Sequence, residues 1–293
     1  MSTQTAVAVE TDLLTPKGIK WGSAVGFALI HVAAVAALFN FSWKGFWAFF
    51  ALQWITGGLG ICLCYHRLLT HRSFSVWKPL EYLLALAGCL AYQNGPIKWV
   101  AHHRLHHARS DKPNDPHSPT KGFWWAHMGW LFVFNDELDK YENYKAYAHD
   151  LAKDPVLRFL NDTHGIYQVF LGIGLLLWGG WPAVLWGVFL RTVFMWHATW
   201  LVNSAAHTWG YRTWAINDRS TNNWWVALFT YGEGWHNNHH AFPRSAAHGL
   251  RWWEFDLTHF TVRALAAFGL AGNIQLPTLE QKERLSPSSV IAA

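Results

Sequence analysis

The stretch G-F-W-A-F-F-A-L-Q-W-I-T-G-G-L-G-I-C-L-C-Y-H-R-L-L-T-H, residues 45–71, decides the fold. Gly45–Tyr65 is apolar and uncharged, close to the ~20 residues a helix needs to cross a bilayer core. His66 and His71 follow at once. The pattern predicts a membrane-crossing helix that ends in imidazoles.

Working outward, Trp21–Phe39 is a second apolar run, set between Lys20 and Lys44 and interrupted only by His31. The link 40–44 makes the two runs a helical hairpin. A third run, Tyr82–Ile97, is shorter and closed by Gly95–Pro96, so it dips into the membrane or packs in the core without spanning. The polar stretch Lys98–His164 follows. A second hairpin then reads Ile166–Trp178, the turn Gly179-Gly180-Trp181-Pro182, and Ala183–Ala206. Arg191 lies inside its last arm and must find a partner or snorkel.

Composition agrees: 52% of the 293 residues are hydrophobic, only 14% are charged, and 21 are Trp, the residue of membrane interfaces. The expected fold is all-α, with four transmembrane helices in two hairpins and a helical cap holding a dinuclear metal site. A single domain covers 1–293, and residues 1–17 and 278–293 are expected to be disordered tails. Basic residues crowd between the hairpins, from Arg67 to Arg158, while the hairpin turns hold only Lys44. Both termini and the cap should therefore be cytoplasmic. Met1–Lys17 lacks the pattern of a secretory signal. Cys62, Cys64 and Cys89 form an odd set in apolar runs and read as packing residues. The net charge of +5 suits a cytoplasmic cap or an acidic partner, and no nucleic-acid module is present.

The chemistry lies in the histidines, of which there are 18. His66 and His71 sit in H-R-L-L-T-H. His103, His106 and His107 sit in H-H-R-L-H-H, and His236, His239 and His240 in H-N-N-H-H, both with i, i+3, i+4 spacing. That spacing sets three rings on one helix face. Asn203 and His207, in N-S-A-A-H, are also one turn apart. These nine imidazoles exceed the three or four protein ligands of one mononuclear site, and fit two metals with open positions. Isolated histidines (His31, His127, His149, His164, His197, His248, His259) read as hydrogen-bonded structural residues, and His102 and His117 fit either role. A haem protein would place its ligands within facing helices, and a transporter at the midplane; these histidines cluster at helix ends.

Together, H-R-L-L-T-H, H-R-L-H-H, N-S-A-A-H and G-E-G-W-H-N-N-H-H, with D-P-H-S-P-T-K-G-F-W-W-A-H-M-G-W at 115–130, resemble the membrane-bound fatty acyl desaturases of the Δ9 class. The short chain and R-W-W-E-F-D-L-T after the last motif are most similar to the bacterial and cyanobacterial acyl-lipid branch. The resemblance implies two irons (replaced by zinc in some purified proteins), with O2 as co-substrate. It assigns His66, His71, His107 and His236 to one iron, with Asn203 acting through a water. His103, His106, His207, His239 and His240 go to the other. It implies insertion of a cis double bond, at Δ9, into a saturated chain. Electrons come from an external donor, ferredoxin first and cytochrome b5 second. Trp54 and Gly58 would close the acyl tunnel. Ala101 and His102 stand where the acyl-CoA branch has Arg–Asp, which points to a glycerolipid-linked chain. The alternatives are a hydroxylase on the same histidine scaffold and an acyl-CoA desaturase. The expected location is an integral membrane, plasma or thylakoid if the source is cyanobacterial.

Overall fold

The computed structural model describes residues 17–112 and 114–286, and it is almost wholly helical. Helix α1 is Trp21–Leu38 and α2 is Trp43–Thr70. Ser42 caps α2, its Oγ accepting from the Gly45 amide at 3.0 Å. From Gln53 onward α2 widens to i→i+5 hydrogen bonding, a π-helix. The glycines of T-G-G-L-G lie inside this part. Gly60 brings α2 against α3 (Lys78–Cys89) so closely that a Cβ there would stand 2.5 Å from the Gly88 amide nitrogen.

After α3 the chain turns through Tyr92 and Asn94, both at positive φ, and enters α4 (Pro96–Arg109). The 82–97 run is therefore a helix end and a turn, as its length suggested. Short turns lead to α5 (Pro155–Thr163). Helix α6 covers Ile166–His207 and breaks at Gly180, whose φ of 69° and ψ of −169° are open to glycine. The break folds α6 back on itself: Gln168 donates to Thr192 Oγ1 at 2.9 Å across 24 residues, which a straight helix would separate by about 36 Å. Leu175 packs against Val184 and Val188 in the same fold-back.

Among the described residues, α1, α2 and α6 are the helices long and apolar enough to cross a membrane. Helix α1 leans on the second arm of α6. The Trp186 indole donates to the Ala37 and Asn40 carbonyls at 2.9 and 3.0 Å, and Phe27 stacks on Trp196 at 4.3 Å. The last part of the chain holds α7 (His236–Ala241) and α8 (Leu257–Ala267). It returns beside α2 through a two-stranded antiparallel pairing of β1 (Ser75–Val76) with β2 (Ala271–Gly272).

The tail expected to be disordered from 278 is ordered in its first part. Residues Leu279–Arg284 form α9, started by a capping box between Thr278 and Gln281, which satisfies two amide donors that a frayed end would leave to water. Lys17 is likewise held, with its amide on the Phe134 carbonyl and its amine 2.5 Å from Asp136. Residues 1–16 and 287–293 lie outside the described residues.

Arg191 is fully buried and finds partners without snorkelling. It donates to the Gly187 carbonyl (3.0 Å), Thr56 Oγ1 (3.1 Å), the Leu90 carbonyl (2.7 Å) and Gln168 Oε1 (3.1 Å). One guanidinium thus ties α2, the turn after α3 and both arms of α6. Its replacement strands buried acceptors, each costing about 1–3 kcal/mol. Arg191→Met is expected to destabilise the detergent-solubilised protein by about 2–4 kcal/mol. Pairing it with Gln168→Leu should restore part of that loss. Unfolding midpoints equal to the parent's would show that Arg191 bears no structural load.

Candidate metal centre

Four elements converge where α2 and α6 end: the last turns of α2 and α6, and the helices α4 and α7. The nine predicted histidines meet there in two groups. His66, His71, His103, His107 and His239 form one, and His106, His207, His236 and His240 the other; within each group ligand nitrogens lie within 4.8 Å of one another.

The π-helical end of α2 explains the first pair. In an α-helix, residues five apart point about 140° from each other. Here the His71 amide donates to the His66 carbonyl at 3.2 Å, one wide turn back, and the two rings lie 4.9 Å apart. On α4 and α7 the three-histidine faces divide between the groups. The i, i+4 pair His103–His107 stays in the first group, with rings 4.7 Å apart, while His106 turns to the second. On α7 the i, i+4 pair His236–His240 stays in the second group at 4.4 Å, while His239 turns to the first. This grouping differs from the division implied by the resemblance: His103 and His239 lie with His66, His71 and His107, and His236 with His106, His207 and His240. The cause is helical phase, since residues four apart share a direction more closely than residues three apart.

In the first group the Nε2 atoms run in a chain of near contacts: His66–His239 3.1 Å, His239–His107 2.9 Å, His107–His103 3.1 Å and His103–His71 3.2 Å. Two nitrogens bound at right angles to one ion, each about 2.1 Å from it, stand about 3.0 Å apart. At that separation two bare lone pairs repel, so each contact needs either a proton on one nitrogen or a cation shared between both. In the second group His106 Nδ1 meets both oxygens of Asp115 at 3.0 Å. His207 Nδ1 meets Asp111 at 3.1 Å, and His240 Nδ1 meets Asp218 at 2.7 Å. The opposite Nε2 atoms of these three rings are buried without any hydrogen-bond partner among the described residues. A carboxylate on one nitrogen and a free lone pair on the other is the arrangement of a metal-binding histidine. Each group can hold a metal ion, and the imidazole set suits iron, zinc or copper.

Sequence reading missed the acids that aim these rings. Asp111 and Asp115 stand in D-K-P-N-D-P-H, after H-H-R-L-H-H, and Glu233 in G-E-G-W-H, before H-N-N-H-H, so an acid beside two of the histidine motifs was the available signal. Glu233 lies 2.7 Å from His66 Nδ1 and also receives Arg67 at 2.9 Å, while Arg67 donates to Asp256 at 2.9 Å. Burial disfavours the Glu233 anion, yet Arg67 and the neighbouring His248 and His66 hold its carboxyl well below the usual carboxylate range. Burial opposes ionisation of Asp115 too, and His106 and His117 more than offset it, so Asp115 also stays ionised. His248, expected to be structural, packs on His239 at 4.4 Å with Nδ1 2.9 Å from Glu233. Burial, then the Arg67 charge, lowers its pKa to about 4. His117 stacks on His106 at 4.3 Å. His31, His197 and His127 form a separate hydrogen-bonded chain at 3.1 and 2.9 Å, ending on Ser204, as structural histidines do.

A cavity reaches both groups. Ile61, Cys62, Trp99, Met195, Thr199 and Val202 wall it, and His66, His103, His236, Glu233 and Asn203 line its polar side. Asn203 makes no side-chain hydrogen bond among the described residues. Gln93 fixes one wall, donating to Thr199 Oγ1 at 2.9 Å and accepting from the Trp99 indole at 3.3 Å. Met195 is one of the apolar residues of the wall, and Gln53 Nε2 donates to its sulfur at 3.4 Å. Trp54 and Gly58 are not among the residues that line this cavity. The Trp54 indole lies flat on Gly58, where it fills the space a Cβ would take, and its edge meets Tyr231 at 5.1 Å.

The family model for fatty acid desaturases matches residues 41–272. The chain is 51% identical to the sn-1 stearoyl-lipid 9-desaturase of Anabaena variabilis, over 91% of this chain and 98% of that protein. It is 48% identical to the sn-2 palmitoyl-lipid 9-desaturase of Nostoc sp. (strain 36), over 87% of this chain and 90% of that one. It is also 46% identical to the icosanoyl-CoA 5-desaturase of Limnanthes douglasii, over 91% and 75%. Histidine groups, apolar cavity and sequence agree, and the chain belongs to the fatty acid desaturase family, whose members are oxidoreductases.

Proposed function

We propose that this protein is a membrane-embedded desaturase that uses O2 to place a cis double bond at Δ9 of a saturated acyl chain carried on a glycerolipid. The observation that carries the reading is the apolar cavity touching both histidine groups, with an amide, Asn203, at its polar edge. The two relatives named lipid 9-desaturases support the position and the carrier. Ala101 and His102 add to this. Both are buried, and His102 Nε2 is bonded to the Leu138 carbonyl at 2.9 Å, so neither side chain is free to grip a CoA group.

The reaction balances as R–CH2–CH2–R′ + O2 + 2 electrons + 2 H+ giving R–CH=CH–R′ + 2 H2O. Two iron ions, when bound by the nine histidines, supply the activation of O2. The chain's own residues do the rest. Asp111, Asp115, Asp218 and Glu233 hold the imidazoles in one tautomer and one orientation. The Gln93–Thr199–Trp99 wall presses the substrate against both groups, and Asn203 holds a water at the cavity edge. Shape must choose the position, because methylenes along a saturated chain are chemically alike. The two electrons come from outside, through ferredoxin or, as second choice, cytochrome b5; both are acidic and the chain is basic.

The break of α6 at Gly180 supports four membrane crossings in two hairpins, and the basic residues crowded between the hairpins support a cytoplasmic cap, termini and metal centre, all in one domain. Expression in a desaturase-deficient host, with gas chromatography of each lipid class, tests the reading. It expects Δ9 monoenes on glycerolipids. Labelled oxygen retained in the product would instead identify a hydroxylase.

Two irons per chain are expected in active, anaerobically purified enzyme. His106→Ala or His239→Ala should abolish turnover in protein that still inserts in the membrane. A stoichiometry of one iron at full activity would sink the dinuclear centre.

Asn203→Ala and Asp115→Asn should each lower activity or metal affinity about 10–100-fold while leaving the fold intact. Parent-like turnover and iron content in either variant would remove that residue from the centre.

Chain length should answer to Met195. Met195→Ala is expected to shift preference toward longer chains, by about 1 kcal/mol per added methylene. Trp54→Ala and Gly58→Leu should shift it less. A larger change at Trp54 than at Met195 would return the closed end to Trp54.

A further inference from the structure

Two of the acids behind the second histidine group turn inward and leave cations outside. Asp111 meets His207 at 3.1 Å and Asp218 meets His240 at 2.7 Å. The residues that follow them in the chain, Lys112 and Arg219, are exposed. The Arg219 amide donates to Asp111 at 2.6 Å, which joins the two stretches into one surface. Arg212, also exposed, belongs to it as well. Its guanidinium donates to the Asp218 carbonyl and, at 2.6 Å, to the Ile216 carbonyl. Among the described residues no carboxylate meets the side chain of Lys112, Arg212 or Arg219. Other cations of the cap are neutralised: Lys20 and Lys98 share Asp139, and Arg72 and Arg104 share Asp150. Helix α9 meets the loop where the Ala215 amide donates to the Leu285 carbonyl at 3.0 Å. It brings two acids and two bases, so the surface stays positive.

The same surface opens onto the metal centre. Of the four carboxylates that back ligand rings, Asp218 is the most accessible. Its side chain is 13% exposed, against 0% for Asp115, 6% for Asp111 and 7% for Glu233. Its partner His240 has Nε2 buried and without a hydrogen-bond partner among the described residues, as a ligand nitrogen does. One carboxylate and one imidazole therefore separate the surface from the second group. Unpaired cations around such a path attract an acidic protein and orient it over the path.

We propose that Lys112, Arg212 and Arg219 form the docking surface for an acidic one-electron carrier protein, and that electrons enter through Asp218 and His240. The proposal rests on the desaturase reading, which needs two electrons from outside. Two reduced carriers dock in turn; each loses one electron and leaves oxidised. Those two electrons, with two protons from water and two hydrogens from the acyl chain, reduce one O2 to two waters. The test uses the iron-loaded full chain in nanodiscs of an uncharged galactolipid. Binding of ferredoxin, and separately of the soluble domain of cytochrome b5, is measured by surface plasmon resonance. Turnover is driven by the reduced carrier or by dithionite. The variant is Lys112→Glu with Arg219→Glu, which leaves Arg212 to hold its loop. The control, Lys153→Glu with Arg158→Glu, makes the same charge change at two other exposed cations. The carrier Kd should rise about tenfold or more in the variant and within about twofold in the control. Added salt should weaken the parent's binding more steeply than the variant's. The ratio of carrier-driven to dithionite-driven turnover should fall about tenfold or more in the variant alone, which a general loss of fold would not produce. Whichever carrier binds the parent more tightly is assigned as the donor. Carrier binding by a parent that makes no product with either reductant would bring down the desaturase reading and leave the docking surface standing. Equal Kd in parent and variant, or an equal rise in the control, overturns the docking surface.

Discussion

Five imidazole nitrogens held 2.9–3.2 Å from their neighbours do not arise from packing alone. Neutral rings brought lone pair to lone pair repel, and protonated rings repel more strongly. Each contact needs either a proton on one of its two nitrogens or a cation shared between them, and a metal ion would serve the whole set at once. The rest of the fold serves to bring four helix ends to that point and keep them there. Each ligand ring of the second group that has a carboxylate at its back can present only its other nitrogen inward, so Asp111, Asp115 and Asp218 choose the tautomer before any ion binds. Glu233 does the same for His66 and is itself held by Arg67, which Asp256 braces from behind. The centre is thus a sequence of alternating charges: cation, imidazole, carboxylate, arginine, carboxylate. Removing any outer member leaves a buried charge unbalanced, which is why the carboxylates matter as much as the rings.

The same chain contains a second buried arginine with a different solution. Arg67 sits at the polar end of α2 and is matched by two carboxylates. Arg191 sits within an apolar arm of α6 and is matched by none; it spreads its donors over two backbone carbonyls, a hydroxyl and an amide. Carboxylates in the bilayer core would add their own desolvation cost, whereas neutral acceptors satisfy the donors without a second charge. Both arginines join α2 to distant parts of the chain, so α2 is fixed at two heights. Its π-helical phase is set between them.

Much of this was legible in the sequence, and the gaps have definite causes. The repeating i, i+3, i+4 histidines identify α4 and α7 and the pool of ligands, because helical periodicity acts on neighbours. The pair His66–His71 has no such logic until the i→i+5 winding of α2 is known, and nothing local in H-R-L-L-T-H announces it. The partition between the groups is a property of how α4 faces α7, which is tertiary. His248 looked like a lone histidine because its partner, Glu233, is fifteen residues away in sequence. The disorder reading beyond Pro277 overlooked the short helix Leu279–Arg284, since composition outweighed a local signal, Thr278 followed three residues later by Gln281, that starts it. Trp54 and Gly58, one turn apart, meet each other, with Trp54 reaching Tyr231 beside the cavity-lining Thr230.

The choice of bond then follows from stiffness. A saturated chain offers no polar atom near the reacting carbons, so the protein must locate them by contour. Trp99 cannot turn away from the cavity without losing Gln93, and Gln93 cannot move without losing Thr199 on α6. The Trp99 ring in turn lies 5.1 Å from His103, a member of the first histidine group. The wall that shapes the substrate and the ring that faces the metal are therefore neighbours on one rigid helix, α4, starting at Pro96. Trp99 and His103 keep their spacing if α4 moves.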